Sequence, residues 1–121
     1  MPQYMLLIYG DPADAPGPEQ QEAQMAKWMS YTDELAQSGA LKGGNALEAI
    51  DTATTVRVRD DETIVSDGPF AETKEILGGY YLIDVPDLDA ALGWAAKMPN
   101  IAYGSVEVRP VWEIPEPPAQ A

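Results

Sequence analysis

The side chains best suited to chemistry in this sequence are carboxylates, arginines and tyrosines, because histidine and cysteine are both absent. Without these two residue types the chain has no imidazole proton shuttle, no thiolate nucleophile and no Cys-based metal site. Acid–base chemistry would have to use a carboxylate, a tyrosine, a lysine or bound water. Any metal would have to be a hard ion held mainly by oxygens, and we predict no metal site. We also predict no cofactor, and a nucleotide cofactor in particular is not supported because neither Gly43-Gly44 nor Gly78-Gly79 has the spacing of a phosphate-binding loop.

The segment Asp67-Gly68-Pro69-Phe70 is the most informative one in the chain. As structure, Asp67 would cap a turn, Gly68 would take a backbone conformation that other residues avoid, Pro69 would fix the next dihedral and Phe70 would anchor the loop. As chemistry, Asp67 would point into a cleft and act as a base, or bind a cationic or hydroxylated group. Asp67 is therefore the candidate catalytic group, on a turn rigid enough to place it.

Charged and aromatic residues near this segment form the candidate ligand site. Arginines on strands could hold a carboxylate or phosphate with paired hydrogen bonds, and tyrosines could line a pocket. The alternatives are cross-strand ion pairs for the arginines, a solvated charge run after the turn, and core packing for the tyrosines. The predicted ligand-binding residues are Arg57, Arg109, Lys74, Glu72 and Tyr80.

Length and charge limit the class of protein. The 121 residues, 45% of them hydrophobic, suffice for one domain with a single core. The formal net charge of -13 repels a phosphate backbone and anionic lipids, so nucleic-acid and membrane partners are not expected. No apolar run is long enough to cross a bilayer and no basic leader precedes the first strand, which predicts a cytoplasmic protein.

The hydrophobic pattern predicts strand, helix, hairpin, strand, helix, strand. The first strand and the strand after the hairpin are apolar on both faces, whereas the first strand of the hairpin alternates strictly between apolar and polar residues. Gly43-Gly44-Asn45 is predicted as loop, and Gly78-Gly79 as a break after a helical turn over 71–77. The predicted strands span 4–9, 54–59, 63–66, 80–85 and 105–111, and the helices run from Pro18 to about Ser38 and from Asp87 to about Met98.

Two helices can cover only one face of the sheet that these strands would form, so the other face needs a partner. Packing two copies sheet against sheet would bury it, with about 1,200 Å² or more expected for a specific interface. We therefore predict an α+β homodimer with two helices on one face of a mostly antiparallel sheet in each copy. The domain is expected over residues 1–112, and the proline-rich tail over 113–121 is expected to be flexible.

The stretch from Asp67 to Glu75, followed by the stretch from Gly78 to Ile83, resembles the signature of the DGPF proteins of the YCII-related family. The similarity continues through four further segments and covers nearly the whole chain before the tail. These segments are Tyr4–Gly10, Ala53–Arg57, Asp87–Ala91 and Val106–Val111.

The resemblance implies a ferredoxin-like fold and a dimeric α+β barrel. It also implies a His and Asp acid–base pair, which cannot be transferred because this chain has no histidine. Genes for such proteins often neighbour those of extracytoplasmic-function sigma factors. Three functions stay open: binding, with or without transformation, of a small polar or anionic molecule in a cleft at the dimer barrel; a non-enzymatic accessory role beside a sigma factor; and a structural dimer without ligand.

Overall fold

The computed structural model describes residues 1–14, 17–69 and 74–115. They form six strands and two α-helices in the order β, α, β, β, β, β, α, β, with short 3₁₀ turns between some of them. The strands are β1 (Gln3–Gly10), β2 (Leu41–Ala46), β3 (Thr54–Arg59), β4 (Glu62–Asp67), β5 (Ile76–Asp84) and β6 (Gly104–Pro110). The helices are α1 (Gln21–Gln37) and α2 (Leu88–Ala96).

Four strands form the main sheet in the order β2-β5-β1-β6, and every neighbouring pair is antiparallel. Helix α1 connects β1 to β2 across β5, and α2 connects β5 to β6 across β1. These two split crossovers are the ferredoxin-like arrangement. The predicted α+β class, with two helices and an antiparallel sheet, is confirmed.

Side chains of β1 and β5 alternate between the helix side and the open side of this sheet. Leu6 and Ile83 are fully buried on the helix side, where they join the core. Met5, Leu7 and Leu82 take the alternate positions and are only partly buried. The helices thus cover one face of this sheet, and the other face carries partly buried apolar side chains.

Strand β2 corrects the prediction of a loop at Gly43-Gly44-Asn45, and β5 runs through Gly78-Gly79 where a break was predicted. The glycines are there because the two strands approach closely. A Cβ on Gly44 would lie 2.7 Å from the carbonyl oxygen of Tyr80, and one on Gly79 would lie 2.8 Å from that of Asn45. Low strand propensity is overridden here by backbone pairing with β5.

Helix α1 buries a face rotated from the predicted one. The sequence pattern predicts a buried stripe of Met25, Trp28, Met29, Thr32, Leu35 and Ala36. It is wrong at Met25 and Met29, which are 61% and 64% exposed, and right at Leu35, while Tyr31 is buried although it lies outside the stripe. Tyr31 can be buried because its hydroxyl donates to the Trp94 carbonyl oxygen at 2.9 Å. Burial also raises the pKa of Tyr31 far above its ordinary value.

Helix α2 begins as predicted at Asp87, whose Oδ1 accepts from the Ala90 N–H at 2.9 Å. Its buried side chains are Ala91 and Ala95, with Met98 just beyond the helix. None of the helices in the described part of the chain has the length and apolar character needed to cross a bilayer.

The predicted hairpin exists as β3 and β4, turning at Asp60-Asp61, but it forms a two-stranded sheet of its own. Both aspartates have positive φ, 51° and 64°, as a two-residue turn of type I′ requires. The expectation that this hairpin belongs to the main sheet is wrong, because β2 takes the edge position beside β5.

Candidate functional site

The predicted acid, Asp67, is the last residue of β4, opposite Thr54, and is exposed. Two hydrogen bonds hold the turn after it: the Gly68 N–H donates to the Ala53 carbonyl oxygen at 2.7 Å, and the Thr55 side-chain Oγ1 donates to the Gly68 carbonyl oxygen at 2.8 Å. Gly68 has φ +98°, which accounts for the glycine of the motif. Phe70 lies outside the described residues.

The other predicted residues lie on separate elements of the chain. Arg57 lies in β3 opposite Ile64, while Arg109 lies on the open face of β6 opposite Met5, in the other sheet. Lys74 is exposed just before β5, and Glu72 lies outside the described residues. Whether Asp67 and the two arginines act on a ligand stays a prediction.

Tyr80 differs from these residues because it lines a cavity of about 610 Å³. The cavity lies between α1 and the end of the main sheet where β1 stops and β5 starts. It is closed further by the loop after β2 and by the 3₁₀ turn before β6. Its aromatic lining consists of Tyr9, Trp28, Tyr80, Tyr81 and Tyr103.

The wall between α1 and β5 combines an aromatic stack with a hydroxyl pair. The rings of Trp28 and Tyr81 are nearly parallel, 20° apart, with centroids separated by 6.5 Å. The hydroxyl oxygens of Thr32 and Tyr81 are 2.6 Å apart. An apolar wall with a few fixed polar groups is the usual composition of a small-molecule site.

The opposite end of the cavity carries a buried amide. Asn100 is 3% exposed, and its Nδ2 donates to the carbonyl oxygens of Tyr9 at 3.2 Å and Ser105 at 3.3 Å. Both partners can only accept, so the orientation of the carboxamide is fixed and Oδ1 remains an acceptor. That Oδ1 has no hydrogen-bond partner among the described residues.

Charge around the cavity is negative. Asp11 and Glu48 line it, and neither lysine nor arginine does so among the described residues. Asp11 is already engaged, because its Oδ1 accepts from the Ala13 N–H at 2.9 Å. Tyr9 has a raised pKa through burial and then through the charge of Glu107 and its hydrogen bond to that carboxylate, opposed by Arg109. This lining disfavours a carboxylate or phosphate ligand.

Residues 1–14, 17–69 and 74–115 contain no group of three acidic side chains placed to hold a metal ion. The cavity can therefore supply aromatic surface, hydroxyl hydrogen bonds and a carboxylate at Glu48. These groups can bind, orient and exchange protons with a hydroxylated molecule.

Sequence reasoning did not single out Trp28, Thr32 or Asn100 as site residues. From the sequence, Trp28 is expected to pack on the core side of α1, and Thr32 is a polar member of the predicted apolar stripe of that helix. Asn100 is expected only to end the second helix together with Pro99. The cavity depends on β2, which the pattern predicted as loop.

The sequence-family model of the YCII-related domain matches residues 2–115 of this chain. The chain belongs to the YCII-related family. This YCII-related chain is also 40% identical, over 112 residues, to an uncharacterised protein of Rhizobium meliloti (strain 1021), with 89% of this chain and 90% of that protein covered. The resemblance found in the DGPF segment and its flanks is thereby confirmed as family membership.

A solved structure, 5-chloro-2-hydroxyhydroquinone dehydrochlorinase from Burkholderia phenoliruptrix AC1100 in complex with 2,5-dihydroxybenzoquinone, matches 91% of the YCII-related chain and 93% of its own. The sequence identity is 11% and the TM-score is 0.45. A likeness at this level says nothing about the reaction or ligand of this chain.

Proposed function

We propose that this YCII-related protein binds a small aromatic molecule bearing hydroxyl groups, uncharged or positively charged, in the cavity between α1 and the main sheet. The observation that carries the proposal is the Trp28–Tyr81 stack beside the Thr32–Tyr81 hydroxyl pair. A ring can pack against the aromatic wall while its hydroxyl joins the hydroxyl pair.

The size of the cavity fits this class of ligand. Pockets for small molecules occupy roughly 300–1,000 Å³, and this one has about 610 Å³. Glu48 and Asp11 at the lining, together with a net charge of -13, disfavour anions. The sequence-based expectation of a polar or anionic ligand is thus narrowed to a hydroxylated and non-anionic one.

We also propose that the protein acts as a homodimer. Met5, Leu7 and Leu82 on the open sheet face are only partly buried in the single chain, and a second copy would cover them. Light scattering in dilute solution tests this, with a molecular mass twice the chain's 13.1 kDa expected. A chain-sized mass at all concentrations would contradict it.

Titration of intrinsic fluorescence tests the ligand proposal. Phenol, catechol and hydroquinone are compared with cyclohexanol, benzoate and inorganic phosphate. We expect saturable quenching by the phenols alone, and a dissociation constant roughly tenfold higher in Trp28→Leu, because an aromatic pair contributes about 0.5–1.5 kcal/mol. Met29→Leu is the matched control, since Met29 lies one position further on α1 and is 64% exposed.

The result separates the three functions that the sequence left open. Binding of benzoate or phosphate in preference to phenols would overturn the aromatic proposal in favour of an anion site. Absence of any saturable binding would favour the structural dimer. A sigma factor that co-purifies in stoichiometric amount with the tagged protein, and still does so with Trp28→Leu, would favour the accessory role. The acidic composition is also compatible with that role.

A further inference from the structure

The hairpin of β3 and β4 has one face that the single chain leaves without cover. Val56 and Val65 are directly opposite each other, and Val58 lies two residues further along the same face. These valines are 61%, 63% and 57% exposed. An isolated two-stranded hairpin is marginal in water, so an apolar face of this kind calls for a surface to pack against.

A second exposed apolar patch follows β6. Trp112 is 80% exposed and Ile114 is 71% exposed, and Met1 at the start of β1 is 80% exposed. The segment is held in place at its base, because the Val111 N–H donates to the Gln3 carbonyl oxygen at 2.9 Å. A tryptophan at this exposure offers a large area for a partner.

The segments that carry these two patches connect to the main sheet at its opposite ends. The hairpin joins the sheet where β2 ends and β5 begins, the end at which Gly10 pairs with Ile76. The second patch leaves the sheet at the other end, where Tyr4 pairs with Pro110. A two-fold axis parallel to the sheet and perpendicular to its strands places each end of one copy over the other end of its partner.

We propose that two copies of this chain exchange hairpins: the valine face of the β3–β4 hairpin packs on Trp112 and Ile114 of the second copy, and the reverse contact forms by symmetry. The inference rests on the homodimer proposed above and specifies the surfaces that make it. Asp67 ends β4 on the same face as Val65, so the exchange brings this aspartate to the subunit interface.

The main sheet alone is too small to provide the area that a specific dimer interface buries, so the hairpins are needed to supply the rest. Strands about 4.8 Å apart that rise about 3.3 Å per residue give four strands of some seven residues a flat area of roughly 450 Å². A specific interface takes about 800 Å² from each partner. One hairpin and the segment that receives the partner's hairpin add roughly 400 Å² per chain at the same spacings.

Cysteine cross-linking tests the contact directly, because the natural chain contains no cysteine. Val65→Cys and Ile114→Cys are made singly and together, and each protein is treated with a short thiol-to-thiol cross-linker. The double variant is expected to give a covalent dimer at least tenfold faster than either single variant. A wild-type dimer whose double variant cross-links no faster than the single ones would overturn the exchange while leaving the dimer intact.

A charge placed on the valine face provides the second test. Val65→Lys is expected to shift the dimer to monomer in sedimentation, with a dissociation constant at least tenfold higher, whereas Ile64→Lys is the control on the opposite face of the same strand. Circular dichroism verifies that both variants fold. Equal dissociation in the two variants contradicts the proposed face, and a monomeric wild type refutes the homodimer itself. Phenol binding is measured separately, so failure of the ligand proposal is distinguishable from either result.

Discussion

Thr32 and Tyr81 place their hydroxyl oxygens 2.6 Å apart, one from α1 and one from β5, at the wall of the cavity. This hydrogen bond links the helix layer to the sheet layer within an otherwise aromatic surface. The same pair therefore contributes to the fold and is available to a ligand. Its two roles can be separated by substitution.

Thr32→Val removes one hydroxyl of this pair and keeps the shape of the side chain. We expect the free energy of unfolding in urea to fall by about 1 kcal/mol, the usual net contribution of a hydrogen bond. Affinity for phenol should fall, while affinity for toluene stays unchanged because toluene has no hydroxyl to lose a partner. Equal losses for both compounds would show that Thr32 does not contact the ligand's hydroxyl.

Gly44→Ala tests the close approach of β2 to β5. Its Cβ would lie 2.7 Å from the Tyr80 carbonyl oxygen, which forces the strands apart. We expect a loss of about 1–3 kcal/mol in the free energy of unfolding, the range for overpacking. Gly43→Ala is the matched control, since a Cβ there has no atom within 4 Å. A similar loss in both variants would contradict the steric explanation.

Asp87→Ala removes the cap of α2. The Ala90 N–H then loses its acceptor at 2.9 Å, and the typical cost is about 1 kcal/mol by chemical denaturation. Asp89→Ala changes the same charge in the first turn of α2 without removing the capping bond, and should cost less. Equal effects of the two substitutions would assign the stabilisation to charge rather than to capping.

Alkaline pH should destabilise the protein through Tyr31. Burial raises the pKa of this phenol above its ordinary value of 10.0, so the folded state retains a proton that the unfolded chain releases. The stabilisation is complete below pH 10 and is lost progressively as the pH rises above it. Urea unfolding between pH 8 and 11 should show a steeper fall for the wild type than for Tyr31→Phe. Parallel curves would exclude Tyr31 as the titrating group.

The sequence predicts the elements whose pattern is strong and local. Strand β1 is a continuous apolar run, α2 begins at a capping aspartate, and the hairpin alternates strictly with a polar turn. The DGPF segment predicted the family. None of these predictions needed knowledge of distant contacts.

The cavity escaped prediction because it depends on distant contacts. Gly44 and Gly79 have low strand propensity, and only their mutual approach across β2 and β5 explains them as strand residues. On α1 the buried side chain is Tyr31 rather than the predicted Met25 or Met29. Tyr31 can be buried because the Trp94 carbonyl oxygen, 63 positions away, accepts a hydrogen bond from its hydroxyl. The sequence analysis chose mainly charged residues as site candidates, whereas the cavity is lined mainly by aromatic side chains and backbone.

The glycine contact between β2 and β5 also limits how this protein can diverge. Because a Cβ at Gly44 or Gly79 would collide with backbone rather than with a movable side chain, these two positions on the sheet side of the cavity cannot take a larger residue without separating the strands. The helix side is less restricted, because Met25 lines the cavity from α1 and is 61% exposed, so that a change in its size need not displace a backbone. New ligand preferences in duplicated copies of such a gene would therefore arise first on α1.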